Sequence, residues 1–302
     1  MRRFGILSTL FLILITVALA GCGDKDKDKK GGGTDNRSAD NKGGTDDKTP
    51  TAGALEELAG KGLGAVKGKV TFEGEPPARN IDDRMKAHND KDQCLKDDPK
   101  NDPKDPTWIV GPDKGVKNVV VWLRPPKGKY FKIPDDQKKS KGDLTMDQPF
   151  CQFEPHVVAF FPSYFDGKKQ VATGQKFEVL NSAPMNHNTY WAGDSLFNKG
   201  DNQIIKSKGK LMIDAKASNG KKPGDDLVKI ACDLHKWMTA YCWVFDHPYW
   251  AITGPDGSYE IKNAPTGVDL ELVYWHETFK SPKSEKVKLD DGPNTKDFIL
   301  KK

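Results

Sequence analysis

The sequence predicts an all-β protein. Apolar runs of strand length recur from residue 65 to the end of the chain, and most are bounded by Gly, Pro, Asn or Asp. Such punctuation is typical of strands joined by turns. An apolar stripe of helical period longer than two turns is missing, and the best helical candidate is the short "GALEELAG" at 53–60.

The predicted strands follow one another with little room for helices between them. "AVKGKVTFEG" (65–74) alternates apolar or small residues with polar ones, and two prolines end the apolar run "NVVVWLRPP" (118–126). Further strand-length runs are "HVVAFFP", "KFEVLN", "KLMIDA", "LVKIAC", the two around the "GPDG" and "APTG" turns of 251–277, and two in "KVKLDDGPNTKDFIL". The polar, proline-rich segment 84–106 is predicted to be a long excursion outside the core.

The first 22 residues are predicted to be a secretory signal. Arg2 and Arg3 precede an apolar run that ends in "LAGC" at Cys22, and the run is too short for an ordinary membrane span. The small residues before Cys22 resemble the lipobox of bacterial lipoproteins, which implies cleavage before Cys22 and its acylation. The alternative is an uncleaved anchor. Both place the rest of the chain outside the cytoplasm.

Residues 23–53 are expected to form a disordered tether. The segment contains no aromatic or large aliphatic side chain, so little apolar surface is available to offset the cost of ordering. Gly23 after the acylated cysteine resembles the outer-membrane sorting pattern of Gram-negative lipoproteins. The resemblance implies an outer-membrane lipoprotein that faces the periplasm and contacts the membrane only through its lipid.

The charge pattern argues against a nucleic-acid partner. The net charge is +5, and lysines and aspartates are interspersed without a basic stripe that alternates with aromatic residues. A mixed surface of this kind indicates solubility and little more.

Two pieces of the chain resemble halves of one module. "VKGKVTFEGEPP" with "VKNVVVWL", and "AITGPDGSYEIKNAPTGVDLELVYWHE", are similar to the opening and closing strands of carboxypeptidase-regulatory-like (Ig/transthyretin-like) β-sandwiches. The resemblance implies one sandwich made of 65–126 and 250–302, with a second domain at 149–247 inserted in it. Plain tandem order is the alternative.

The stretch "CDLHKWM" places three soft metal ligands at spacings of three residues. A thiolate, an imidazole and a weak thioether suit a blue-copper site once a second histidine completes the set. "FEVLNSAPMNHNTYW" (177–191) supplies that histidine after a predicted strand. The alternative is that these residues are ordinary core and surface side chains.

This pairing of an upstream His-Asn with a downstream C-x-x-H-x-x-M loop resembles the cupredoxins, and the loop spacing resembles that of amicyanin. The resemblance implies a Greek-key β-sandwich or barrel with one type 1 copper bound by His187, Cys232, His235 and Met238. Asn188 would hydrogen-bond between the two ligand loops. His235 would lie at the surface, with Trp237 and Tyr241 around the partner-docking patch.

The remaining cysteines and histidines are expected to be structural. In an oxidising compartment Cys94 and Cys151 are predicted to pair, which would pin the polar excursion to the inserted domain. Cys242 is predicted to be a small buried residue, and a binuclear centre that uses Cys232 and Cys242 is the rival hypothesis. Hydrogen-bonded structural roles are favoured for three histidines: His156, His247 and His276.

These features predict a lipid-anchored electron carrier. The motifs "CQFEPHV", "CDLHKWMTAY" and "YWHE" together resemble secreted cupredoxin-containing proteins of planctomycete-type bacteria, with Cys242 a departure from the expected aliphatic residue. The expected partner is a cytochrome or a respiratory enzyme. A cell-envelope binding protein with structural or sequestered copper is the alternative. An enzyme is not expected, because the other histidines are scattered and lack an H-x-H pair.

Overall fold

The computed structural model describes residues 55–139, 142–217 and 225–302. The predicted signal peptide, Cys22 and the whole predicted tether at 23–53 lie outside the described residues. No helix in the described ranges is both long and apolar enough to cross a membrane.

Strands dominate the described chain, so the predicted all-β class is confirmed. The strands of the first half are β1 Glu56–Leu58, β2 Gly62–Phe72, β3 Val120–Arg124, β4 Lys129–Phe131, β5 Leu144–Met146, β6 Val157–Phe160, β7 Ser163–Phe165, β8 Gln170–Ala172, β9 Phe177–Leu180 and β10 His187–Ala192. Those of the second half are β11 Asp201–Ile205, β12 Lys210–Ile213, β13 Asp225–Ala231, β14 Thr239–Phe245, β15 Trp250–Ile252, β16 Ser258–Thr266, β17 Asp269–Trp275, β18 Lys283–Lys288, β19 Gly292–Thr295 and β20 Phe298–Leu300.

The helices of the described ranges are single turns. They are α1 Asp83–Lys86, α2 Lys91–Cys94 and a 3₁₀ turn at Asp135–Gln137. The helical candidate "GALEELAG" is not a helix over its described residues, because Glu56–Leu58 is strand β1 and pairs in parallel with β4. Leu58 is buried in a core made by distant strands, and this long-range contact outweighs a local helical preference.

Strands from the two ends of the described chain share two sheets. β2 pairs with β16, β19 and β20, and β3 lies between β15 and β17, with β18 at the far edge of that sheet. A core that draws on both sheets separates them, with Val70 and Ile261 from one side and Leu123 and Leu272 from the other. These sheets form the first sandwich.

The intervening residues form a second sandwich. Its larger sheet has the order β11-β10-β13-β14-β6 and its smaller sheet the order β12-β9-β5. Phe177 and Val179 of the smaller sheet share one core with Val228, Ile230 and Cys242 of the larger sheet.

The two sandwiches pack face to face, which produces four stacked sheets with three apolar layers between them. β3 sends Val121 and Leu123 into the first core and Val120 and Trp122 into the middle layer. The side chains of β14 are divided between two layers in the same way, because Trp243 enters the middle layer while Cys242 faces the second core. Strands buried on both faces read as continuous apolar runs, which explains "NVVVWL" and "AYCWVF".

The polar excursion carries the helices α1 and α2 onto the second sandwich. We call residues 82–94 the cap. Met85 and Cys94 are buried in the second core, and a disulfide joins Cys94 to Cys151. The excursion is therefore not wholly outside the core, because two apolar side chains and one covalent bond attach it.

Candidate metal centre

Neighbouring strands bring the two predicted ligand segments together. Cys232 follows β13 directly, and His187 begins β10, which pairs with β13. The loop from Cys232 to Met238 closes on itself, since the Cys232 N–H donates to the Met238 carbonyl (3.2 Å) and the Met238 N–H donates to the His235 carbonyl (2.8 Å). This turn delivers the loop into strand β14.

Three of the four predicted ligands lie side by side. The Cys232 Sγ is 3.8 Å from the His235 Nδ1, and the rings of His187 and His235 are 4.8 Å apart between centroids and nearly perpendicular. Met238 is almost fully buried, in the same core as Cys232. The set of two imidazoles, one thiol and one thioether is the donor set of a type 1 copper site.

His187 gives the strongest indication of a ligand. The side chain is fully buried, and neither ring nitrogen has a hydrogen-bond partner in the described part of the chain. Buried polar atoms are nearly always paired, so an imidazole without a partner beside a second imidazole needs an explanation such as a metal ion. The residues present therefore fit a copper ion.

The ligand atoms of the proposed copper site lie farther apart than those of the two tightest groups of possible ligands in the described ranges. Two groups of three have ligand atoms that all lie within 4.8 Å of one another, and both contain His235: one with Cys94 and Cys151, the other with His88 and Asp90. The triad of His187, Cys232 and His235 does not meet that spacing. The sulfurs of Cys94 and Cys151 are bonded to each other, so they are not available as thiolates.

Asn188 connects the two candidate ligand segments. Its Oδ1 accepts from the backbone N–H of Asp233 (2.6 Å) and of Leu234 (3.1 Å), and the Cys232 thiol is 3.2 Å away. Its own backbone N–H points at the Cys232 Sγ (3.5 Å). One residue thus orders the start of the loop and supplies polar contacts to the sulfur.

Burial keeps the metal-free ligands uncharged. Burial, with the neighbouring His235 adding to it, lowers the pKa of His187 to about 4. Burial also lowers the pKa of His235, against the opposing effect of Asp90, and raises the pKa of the Cys232 thiol. At neutral pH both imidazoles are neutral donors, and a metal ion must displace the thiol proton as it binds.

His235 does not lie at the surface, so that expectation is wrong. Its side chain is 1% exposed. The cap covers it: the His235 Nε2 is 3.0 Å from the Asp90 Oδ2, and the His88 ring packs 4.8 Å from the His235 ring. The edge of the ring that would meet a partner is enclosed by residues from the polar excursion.

The structure also differs from the expected docking patch around Trp237 and Tyr241. Tyr241 packs against His156 and Trp275, between the two sandwiches, so it cannot surround a surface-exposed ligand. Trp237 lies beside His235, and its Nε1–H donates to the Cys151 carbonyl (3.0 Å). The alternation of strand β14 turns Tyr241 towards the first sandwich, and a short loop motif carries no information about that packing.

His88 and Asp90 are not part of any motif that the sequence shows. They stand in "AHND", within a segment whose lysines and aspartates are spread evenly, and the histidine is the one unusual residue there. Nothing in the local sequence distinguishes Asp90 from the other aspartates of this segment. Only the folded path of the cap brings it to the candidate metal centre.

The other histidines have protein partners. The Nε2 of His156 is 2.7 Å from the Glu277 Oε1, His247 accepts from the Tyr249 N–H (3.1 Å), and His276 stacks on Trp108 (4.0 Å between centroids). Cys242 is fully buried in the second core, and burial raises the pKa of its thiol. These contacts are those of structural residues.

Comparisons with known proteins found two similar solved structures. One is a novel purple cupredoxin from Nitrosopumilus maritimus, at 13% identity and a TM-score of 0.24, covering 34% of this chain and 99% of that one. The other is the copper(I) form of a point mutant of amicyanin, at 12% identity and a TM-score of 0.25, covering 40% and 97%. Models of protein families and curated proteins gave no match.

Proposed function

We propose that the chain is a cupredoxin-like copper protein that carries single electrons. The observation that carries the proposal is the buried imidazole of His187, with both ring nitrogens unpaired in the described structure, beside His235, whose Nδ1 faces the Cys232 sulfur. Copper held there would supply a one-electron couple, and a set of one thiolate, two imidazoles and a weak thioether suits that role. We propose a carrier and not an enzyme.

The residues around the ligands support rapid electron transfer by holding the site still. Asn188 fixes the start of the Cys232–Met238 loop, and the backbone hydrogen bond from the Cys232 N–H to the Met238 carbonyl fixes its end. Cys232 and Met238 are buried, so water is kept from the sulfur donors. A rigid, dry ligand set changes little between oxidation states.

The proposed location rests on the N-terminal sequence, and the proposed partner on the proposed function. We propose a lipoprotein acylated at Cys22, anchored in the outer membrane and facing the periplasm, where it exchanges electrons with a cytochrome or a respiratory enzyme. Contact with the membrane would be through the lipid alone.

One observation favours a second function. The ligand His235 is 1% exposed beneath the cap, so the usual close approach of a partner to this ring is blocked. A cell-envelope binding protein with structural or sequestered copper needs no such approach. This is the alternative proposal.

Copper addition to the metal-free protein tests the site. We expect one copper(II) per chain and a strong visible absorption from the thiolate–copper bond. Cys232→Ser should abolish that absorption, because it removes the thiolate. Cys242→Ala removes the other free, buried cysteine of the described chain and should keep the colour. A wild-type protein that binds copper(II) without turning blue would contradict the proposal.

Redox measurements separate the two proposals. A carrier should show a reversible midpoint potential and exchange electrons with a cytochrome in stopped-flow mixing. A stable copper form that exchanges electrons with no soluble carrier favours the binding protein.

A further inference from the structure

The His235 ring is engaged at both of its nitrogens. Its Nδ1 faces the Cys232 sulfur at 3.8 Å, and its Nε2 is 3.0 Å from the Asp90 Oδ2. The two nitrogens of a neutral imidazole differ, because one carries the proton and the other has the free lone pair. A carboxylate accepts only, so the contact with Asp90 places the proton on Nε2 and leaves Nδ1 free to bind a metal.

The carboxylate of Asp90 is not used by its own helix. Asp90 occupies the N-cap of α2, where an aspartate side chain commonly accepts from the first backbone N–H groups. Here the backbone carbonyl of Asp90 accepts from Gln93 and Cys94, whereas the side chain makes no capping bond. The carboxylate is turned to His235 instead.

The cap holds Asp90 firmly in place. Met85 and Cys94, on either side of Asp90 in the sequence, are both buried in the second core. The disulfide from Cys94 to Cys151 fastens the end of α2, and the Cys151 carbonyl accepts from Trp237, which packs on His235. The Asp90 N–H donates to the His88 Nδ1 (3.2 Å), which also fixes the neighbouring ring.

We propose that Asp90 is a positioning residue of the copper site, which orients His235 and tunes the bound metal through a carboxylate–imidazole hydrogen bond. The inference rests on the proposed function. A carboxylate behind a ligand histidine fixes the tautomer and makes the metal-bound nitrogen a stronger donor. A stronger, more negative donor set favours copper(II) over copper(I), so Asp90 lowers the midpoint potential.

The same atoms could be read as a second metal site. The ligand atoms of His88, Asp90 and His235 lie within 4.8 Å of one another. A cation there would have to displace the Nε2 proton of His235 and share the ring with copper. The hydrogen bond needs no such step, and this favours it over the second metal.

Two substitutions at Asp90 and one matched control test the proposal. Asp90→Asn removes the charge, and Asp90→Ala removes the acceptor. Asp92→Asn removes the same charge from an exposed position in the same short helix. We expect both Asp90 variants to weaken copper(II) binding by about 10- to 100-fold, to raise the midpoint potential and to change the copper hyperfine splitting in the EPR spectrum. Asp92→Asn should match the wild type in all three.

The metal-free protein gives an independent readout. Nitrogen-15 NMR of the His235 ring should show the proton on Nε2 in the wild type, and near-UV circular dichroism should show that the variants stay folded. A proton on Nδ1, or Asp90 variants with wild-type potential and EPR spectrum, would overturn the inference. Two copper or zinc ions per chain, with one lost in His88→Ala, would replace it with a second metal site.

Failure of the proposed function has a different signature. In that case the wild type itself forms no blue copper species, and the inference about tuning falls with it. If the wild type turns blue and the Asp90 variants are unchanged, only the inference fails.

Discussion

Each residue of the candidate metal centre has contacts that define its proposed role. Asn188 illustrates this, because it adjoins the proposed ligand His187 and also binds the backbone of the cysteine loop. The His-Asn pair and the C-x-x-H-x-x-M spacing are local patterns, so the sequence can predict these residues as a set. His235 shows the limit of such patterns, since the cap that covers it includes Asp90, which lies 145 positions away.

His247 is predicted to make the protein sensitive to acid. Burial, with a smaller effect from Arg124, lowers its pKa from 6.5 to about 3 in the folded state. The unfolded chain therefore binds a proton that the folded protein excludes, and stability present above about pH 6.5 is lost as the pH falls towards 3. The expected loss from this group is ~1.4 kcal/mol per pH unit in that window.

Urea unfolding of the metal-free protein between pH 8 and about pH 4 measures this effect. His247→Asn keeps an acceptor for the Tyr249 N–H and cannot be protonated, so the slope of stability against pH should be smaller than in the wild type. Burial lowers the pKa of His276 to about 4 as well, and that contribution stays in both proteins. Equal slopes would show that His247 is not the acid-sensitive group.

At the scale of elements, the cap is a segment whose position tertiary contacts determine. Its two helices have four residues each, too short to be stable alone, and local sequence predicts only a polar excursion. The buried Met85, the disulfide and the Asp90–His235 contact hold it on the second sandwich. Tertiary contacts also determine strand β1, since its pairing with β4 overrides the helical pattern of its sequence.

The disulfide is predicted to stabilise the protein and hold the cap closed. Its cysteines are 57 positions apart, and closing a loop of that size in the unfolded chain is worth up to ~4 kcal/mol. The double variant Cys94→Ala/Cys151→Ala should lower the free energy of unfolding by about 2–4 kcal/mol. Limited proteolysis should then cut within residues 84–106.

Reduction of the wild-type protein provides the matched comparison, because it breaks the same bond without changing a side chain. Both forms should become equally sensitive to protease in the cap. Protection equal to that of the oxidised protein would mean that apolar contacts alone hold the cap.

At the scale of the whole molecule, the two sandwiches share an apolar layer and are expected to unfold together. The Trp122 and Trp243 rings are 4.6 Å apart, and Trp275 packs 5.5 Å from Trp243. Strands on each side of the second sandwich belong to the same two sheets of the first. The insertion of 149–247 between 65–126 and 250–302 stays a prediction about domain boundaries.

Trp243→Ala is predicted to uncouple the sandwiches. Loss of a buried tryptophan costs about 3–5 kcal/mol, and here it removes contacts between the two units. We expect one calorimetric transition in the wild type and two in the variant. Trp191→Ala removes a similar volume from the second core alone and should lower the melting temperature while keeping one transition. Two transitions in the wild type would contradict the shared unfolding.

Local patterns are enough to predict the strand-rich class, the candidate copper ligands and the pairing of Cys94 with Cys151. These features depend on apolar runs between turn residues, on ligands three positions apart, and on cysteines in an oxidising compartment. The stacking of four sheets and the packing of a polar cap over His235 cannot be predicted from local sequence and are seen only in the folded molecule. Both depend on contacts between residues far apart in the chain, Trp122 with Trp243 and Asp90 with His235, and no local pattern records which distant surfaces meet.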